Sequence, residues 1–297
     1  MLRVESSART IAGRYDVLAH IGEGGMGIVH MVRDRQTDRT FAIKQPWFRG
    51  LPGSTPCLDP RAGILRESEA LSRLDHPHIV RLSGAGTDES GEPFLVLELL
   101  EHSGTIVDLP PGASAGQRIR ALVQMFSALA HVHGADLIHG DVTPSNVLLC
   151  THSALSGAPL SLEPRVCLID FGLAVRSGEH AILPELEASG PPSLVGSALY
   201  LAPELIEGAP MSTASDLYAA GMIAVEVLTR TNPRSRAGPR MTLPALREFP
   251  RAWLDDTAAV LGRELVALLR RLLAREPGRR CPCANEVASE LEAIAKH

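Results

Sequence analysis

From Tyr15 to about Leu100 the chain is dominated by short alternating or apolar runs, "YDVLAHIG", "GIVHMVRD", "TFAIKQ", "IVRLSGAG" and "PFLVLELL", separated by Gly, Asp and Ser turns. Side chains along a strand point alternately to opposite faces, so this pattern predicts a mainly antiparallel sheet. One stretch breaks the period: in "AGILRESEALSRLDHP", Ile64, Leu71 and Leu74 recur at helical spacing and Pro77 marks the end. After Leu100 the period lengthens. "AGQRIRALVQMFSALAHVHGA" sets Ile119, Leu122, Phe126 and Leu129 on one face, and "SDLYAAGMIAVEVLTR", "GRELVALLRRLLAR" and "ANEVASELEAIAKH" behave likewise. Three stretches rich in Pro, Gly or Ser, 46–61, 151–164 and 231–249, read as loops or insertions.

At 297 residues the chain is long for one core. The expected class is α+β with two lobes. Residues 1–14 read as an extension, 15–100 as a smaller antiparallel-sheet lobe with one helix, and 101–297 as a larger, mainly helical lobe.

Charge narrows the partners. With 29 Lys and Arg against 34 Asp and Glu, the net charge of −5 offers no basic footprint for nucleic acid or a membrane surface. The cysteines, Cys57, Cys150, Cys167, Cys281 and Cys283, are scattered and lack the paired spacing of a zinc site, which fits free thiols in a reducing cytoplasm. The longest apolar run, "YAAGMIAVEVL" from Tyr218, is too short to cross a bilayer and carries Glu226. A cytoplasmic, buried-helix reading follows. His76/His78 surround Pro77 and His131/His133 end a helical pattern, with no acidic ligand beside either in sequence, so structural or surface histidines are expected.

"IGEGGMGIVH" contains Gly22, Gly24, Gly25 and Gly27, with 22, 24 and 27 in G-x-G-x-x-G spacing that lets backbone approach phosphate closely. A dinucleotide-binding turn should open a helix. Here "IVHMVRD" alternates as a strand, so the glycines belong at a hairpin tip. Lys44 ends the apolar strand "FAIK", where a buried ammonium needs an anion. Glu67 is the charge on the helical stripe 64, 67, 71 and 74, whereas Glu69 falls off that face, so Lys44 and Glu67 indicate each other. Further on, "LIHGDVTPSNVLL" places Asp141 and Asn146 five apart on a loop, and "VCLIDFGLA" puts Asp170 at a strand end. Oxygen ligands from Asn146 and Asp170 suit Mg²⁺, which relies on substrate phosphates for the rest of its shell. Asp141 is then free to orient a hydroxyl. Each feature alone has a bland explanation as a turn, cap or solvated charge; their order along one chain does not.

With "FAIK", the helix glutamate, "HGDVTPSN", "DFG" and "APE" at Ala202 to Glu204 following the glycine loop in order, the chain resembles the eukaryotic-like protein kinases, particularly the bacterial serine/threonine type. "GSALYLAPE", the "SDLYAAG" run with Asp216 and Gly221, and Arg280 opposite Glu204 extend the likeness from about Tyr15 to Ile294. The resemblance implies a bilobal kinase fold over 15–297 and transfer of the ATP γ-phosphoryl to Ser/Thr hydroxyls of protein substrates, the enzyme itself among them. It also implies that Lys44 holds the α- and β-phosphates and is held by Glu67. Asn146 and Asp170 would bind Mg²⁺, and Asp141 would accept the hydroxyl proton. Ile21, Val29 and Ala42 would cover the adenine, with Leu148 below, backbone at Glu98 to Leu100 reading its edge and Leu97 as gatekeeper.

Two positions depart from the family's H-R-D-L-K-P-x-N loop. Gly140 stands for the arginine that receives an activation-segment phosphate, which predicts a weaker phosphorylation switch. Thr143 stands for a lysine near the γ-phosphate, a loss that can cost about 10²-fold in rate unless compensated; its hydroxyl is expected to bond Asp141. Ser177, Ser189, Ser193 and Ser197 are candidate modification sites. Two rivals stay open: a small-molecule phosphotransferase of the aminoglycoside-kinase type, whose loop also reads H-G-D, and a non-catalytic scaffold.

Overall fold

A computed structural model describes residues 9–23, 27–47, 59–153, 165–179, 181, 198–232 and 251–296. The first lobe is one antiparallel sheet, β1 (Thr10–Ile11), β2 (Tyr15–Glu23), β3 (Ile28–Asp34), β4 (Thr40–Gln45), β5 (Leu82–Thr87) and β6 (Pro93–Leu97), in the order β1-β2-β3-β4-β6-β5. It begins before Tyr15, because Thr10 and Ile11 pair with Asp16 and Tyr15. Alternation sends Ile11, Tyr15, Val32, Ile43, Phe94 and Val96 to a buried cluster on one face. Helix α1 (Pro60–Leu71) covers the other. Its start is fixed by Asp59, whose side chain accepts from Arg61 N–H at 3.0 Å, with proline at the first helical position.

The "PFLVLELL" run does not continue as one strand. β6 stops at Leu97, and β7 (Leu100–Thr105) joins β9 (Val147–Ser153) and β10 (Arg165–Leu168) in a second sheet ordered β10-β9-β7, while the short β8 (Leu137–Ile138) pairs with β11 (Val175–Arg176). The link 98–99 is thus the connection between lobes. Below it lie helices α2 (Ala115–Gly134), α3 (Pro203–Ile206), α4 (Thr213–Thr229), α5 (Arg251–Leu261), α6 (Arg263–Leu272) and α7 (Ala284–Ile294). Ser114 and Gln117 cap α2 reciprocally, each accepting the other's backbone N–H, and Ser212 and Ser215 do the same for α4. The buried faces of α2 and α4, with α6 and α7, make one core that runs up to Ala42, Leu95 and Leu97 of the sheet.

The two layers are also joined edge to edge. Val80 N–H donates to Leu168 O at 3.0 Å and Leu168 N–H to His78 O at 2.9 Å, so the loop after α1 is hydrogen-bonded to β10. The three insertions expected at 46–61, 151–164 and 231–249 fall largely outside the described residues. Helix α5 follows the last of them, in a stretch where the sequence pattern predicts no element.

Candidate active site

The site sits where β4, α1, the 139–147 loop and the turn after β10 converge. Lys44 Nζ lies 2.6 Å from Glu67 Oε2 and 2.9 Å from Asp170 Oδ1. β4 supplies the lysine because its odd–even alternation, in register with Val29 opposite, turns Lys44 to the face that α1 covers. Helix α1 supplies Glu67 from the stripe holding Ile64 and Leu71, all nearly inaccessible. Burial opposes the Lys44 charge, but the Asp170 and Glu67 carboxylates outweigh it and hold the ammonium above the ordinary lysine value. For Glu67 burial is the larger effect, keeping its pKa above the usual glutamate range although Lys44 and the Phe171 N–H oppose it.

Asp170 has φ 63°, a left-handed backbone that few non-glycine residues adopt. The turn is held from three sides. Gly172 N–H donates to Asp170 Oδ1, Lys44 reaches the same oxygen, and Arg66 Nε of α1 donates to Gly172 O at 3.0 Å. Burial works against ionised Asp170, yet Lys44 and the Gly172 N–H pull its pKa below the ordinary value.

The loop below is organised by α4. Asp216, 3 % exposed, accepts from His139 N–H at 2.8 Å, Gly140 N–H at 3.0 Å and His133 Nε2 at 3.0 Å. His133 therefore does meet an acid, brought from 83 positions away, and the pair is a hydrogen bond. His139 accepts from Asp141 N–H through Nδ1 and donates to Ile169 O through Nε2, its ring against Phe171 at 4.7 Å. Asn146 Nδ2 donates both to Asp141 O and, at 2.8 Å, to Asp141 Oδ2. Burial foremost, with the charge of Asp170, lifts the Asp141 pKa, so the two carboxylates are pushed in opposite directions.

Thr143 does not bond Asp141. Its hydroxyl meets Ser145 Oγ at 2.9 Å, because it opens the single turn Pro144–Asn146 and points along it. The group that steadies Asp141 is Asn146. Gly140 has φ +78°, and a Cβ there would lie 2.8 Å from Met211 Sδ and 3.0 Å from Leu173 O. A side chain at this position would be both strained and crowded.

Among the apolar candidates, Ala42 pairs with Leu97 across β4 and β6, both buried; Gly22 pairs with Val29; Ile21 is 41 % exposed; Leu148 and Leu100 are half-buried. A Cβ on Gly27 would be 2.7 Å from Gln45 O and 3.2 Å from Lys44 Cγ, so only glycine lets the hairpin come this close to the lysine. Gly24 and Gly25 lie outside the described residues, as do Ser189, Ser193 and Ser197. Glu98 is notable for its side chain: the buried carboxylate accepts from Arg81 N–H and from Arg165. Asn146, with its amide nitrogen committed to Asp141, retains a carbonyl oxygen that could ligate a cation, as could the Asp170 carboxylate. Among the described residues no group of three or more His, Cys, Asp and Glu side chains could hold a metal. This donor set fits Mg²⁺ shared with substrate phosphates.

The profile of the protein kinase domain matches residues 15–291 of this chain. The chain belongs to the protein kinase domain family. It is 30 % identical to serine/threonine-protein kinase pkn3 of Myxococcus xanthus over 98 % of this chain and 52 % of the relative. Pkn2 of the same organism is 32 % identical over 95 % of this chain and 32 % of its own. A DNA damage-responsive serine/threonine-protein kinase, RqkA of Deinococcus radiodurans, is 34 % identical over 75 % of this chain and 31 % of its own. The chain thus spans about half the length of the first relative and about a third of the others.

One feature of the kinase domain lies away from the reaction centre. Arg280 forks onto both oxygens of Glu204 at 2.6 Å and donates to Ala274 O, Ala214 O and Arg275 O, its guanidinium also over the Tyr218 ring. This fastens the "APE" helix α3 to the start of α4. Sequence reasoning missed Arg66 and Arg165, ordinary polar residues whose partners lie on other elements, and Ser145, which meets the Thr143 hydroxyl within its own turn. Among the described residues no helix is long and apolar enough to cross a membrane.

Proposed function

We propose that this kinase domain transfers the γ-phosphoryl of ATP to serine and threonine hydroxyls of proteins, its own chain included. The observation that carries the reading is the Lys44 ammonium, bound at 2.6 Å to Glu67 of α1 and at 2.9 Å to Asp170. One cation thereby joins sheet, helix and metal-binding turn, and the reaction depends mainly on such positioning.

In this reading Gly27 brings the hairpin backbone over the phosphates and Lys44 neutralises them. Asn146 and Asp170 would hold Mg²⁺, which supplies charge stabilisation of the phosphoryl oxygens. Asp141, steadied by Asn146 and oriented through His139, receives the proton of the acceptor hydroxyl. Asp170 stays ionised while Asp141 is the more basic of the two, which suits one to a cation and the other to a proton. Ala42 and Leu97 close the adenine pocket beside the 98–100 connection. The Glu204–Arg280 platform supports a protein acceptor over a small molecule.

The test is incubation with labelled ATP, Mg²⁺ and dephosphorylated casein, followed by phosphoamino-acid analysis. Label on serine or threonine of casein and of the enzyme is expected. Label on neither protein, with ATP bound, would instead favour the scaffold.

A further inference from the structure

The carboxylate of Glu98 is hidden in the connection between the lobes. Glu98 is 5 % exposed, and a carboxylate so placed is costly unless paired and hydrogen-bonded. Its partners come from two directions: Arg81 N–H at 3.1 Å, just before β5, and Arg165 Nη2 at 3.0 Å, at the head of β10. The same guanidinium donates through Nε to Pro77 O at 2.6 Å, in the loop after α1. The backbone of Glu98 is fixed as well, its N–H donating to Arg81 O at 2.9 Å.

We propose that Arg165 is a positioning residue for the adenine half of the nucleotide site, a guanidinium that sets the height and angle of the 98–100 backbone by gripping Glu98. Three pieces of chain meet at this one side chain. β10 carries it and leads directly into Asp170, the loop after α1 gives it Pro77 O, and the connection gives it the Glu98 carboxylate, which the Arg81 N–H shares. A planar fork with several fixed donors can satisfy two acceptors on different segments at once; an ammonium is a single charge without that geometry. The consequence is specific. Strand β10 governs the phosphate end of the site through Asp170 and the base end through Arg165, so the two ends keep their spacing. This inference rests on the reading of 98–100 as the adenine-facing connection.

The experiment measures binding of adenosine and of Mg²⁺ tripolyphosphate separately by calorimetry, and ATP KM and kcat with casein, in the wild type and in Arg165→Met, Arg165→Lys, Glu98→Gln and the double variant Arg165→Met/Glu98→Gln. Arg165→Met should weaken adenosine and raise ATP KM about tenfold, the scale of one charged hydrogen bond, with tripolyphosphate affinity and kcat within about twofold. Arg165→Lys should recover part of the loss. The double variant, which leaves no unpaired buried charge and so guards against simple unfolding, should be no worse than the worse single variant. Equal weakening of adenosine and tripolyphosphate, or additive losses in the double variant, overturns the positioning role. Unchanged adenosine binding in folded Arg165→Met also overturns it. A wild type that binds tripolyphosphate but not adenosine overturns the nucleotide reading of the connection itself, and the Arg165 role with it.

Discussion

Replacing Lys44 by methionine removes the ammonium from between Glu67 and Asp170 while keeping a side chain of similar length. Glu67 is 1 % exposed, and its oxygen lies 2.6 Å from the ammonium. Breaking a buried pair by removing one member costs about 3–5 kcal/mol, a large share of the roughly 5–15 kcal/mol that holds a typical protein folded. The cost should depend on pH, because Glu67 can escape it by taking up a proton. Burial already holds its pKa above the ordinary value with Lys44 present, and the substitution deletes a main influence that lowers it. An acid whose folded pKa is raised binds more protons when native. Its contribution to stability is complete below the unfolded value of about 4.3 and is lost as pH rises through the folded pKa. Urea unfolding of both proteins should therefore show Lys44→Met less destabilised near pH ~5 than near pH ~8. Equal destabilisation at the two pH values, or more at the lower one, would refute this electrostatic account of the cluster.

Arg280→Lys keeps the charge but loses the fork to Glu204 and most of the carbonyl contacts; it should cost about 2–4 kcal/mol in denaturant unfolding. Gly140→Ala forces a Cβ against Met211 and Leu173 O at a positive φ. A loss of about 1–3 kcal/mol is expected, with reduced kcat because the Asp141 loop must shift. Burial, then His78 and His131, depress the His76 imidazole to about 4. A base with a lowered folded pKa binds fewer protons when native, so stability present above about pH 6.5 falls as pH drops from there toward 4. His76→Gln should flatten that slope in unfolding midpoints followed over the same range.

What the sequence made legible was whatever repeats or stands alone. The period-2 runs and the amphipathic helices were readable because burying one face imposes a spacing. The Lys44–Glu67 pair was readable for a related reason: a single charge on each of two buried stripes has to be met by something. The strand β7 was not, since "PFLVLELL" is apolar but for Glu98 and carries no alternation to mark a break, and its break after Leu97 is set by pairing with β9, some fifty positions on. Helix α5 escaped because the Pro-rich stretch before it masked its start. Arg66 and Arg165 were invisible for the opposite reason to Lys44. An arginine beside other charges is ordinary on a surface, and only the fold reveals that one grips Gly172 O and the other Glu98. Thr143 shows a local limit, as its hydroxyl had two plausible acceptors within a few residues and the turn chose Ser145.

The central claim is that Asp141 acts on the acceptor while Lys44, Asn146 and Asp170 hold the nucleotide, and single-turnover phosphoryl transfer from ATP·Mg²⁺ to casein by Asp141→Asn tests it most directly. The account predicts nucleotide affinity within about threefold of the wild type and a transfer rate lower by roughly 10²-fold or more. Transfer at the wild-type rate, or loss of nucleotide binding in step with loss of transfer, would contradict it.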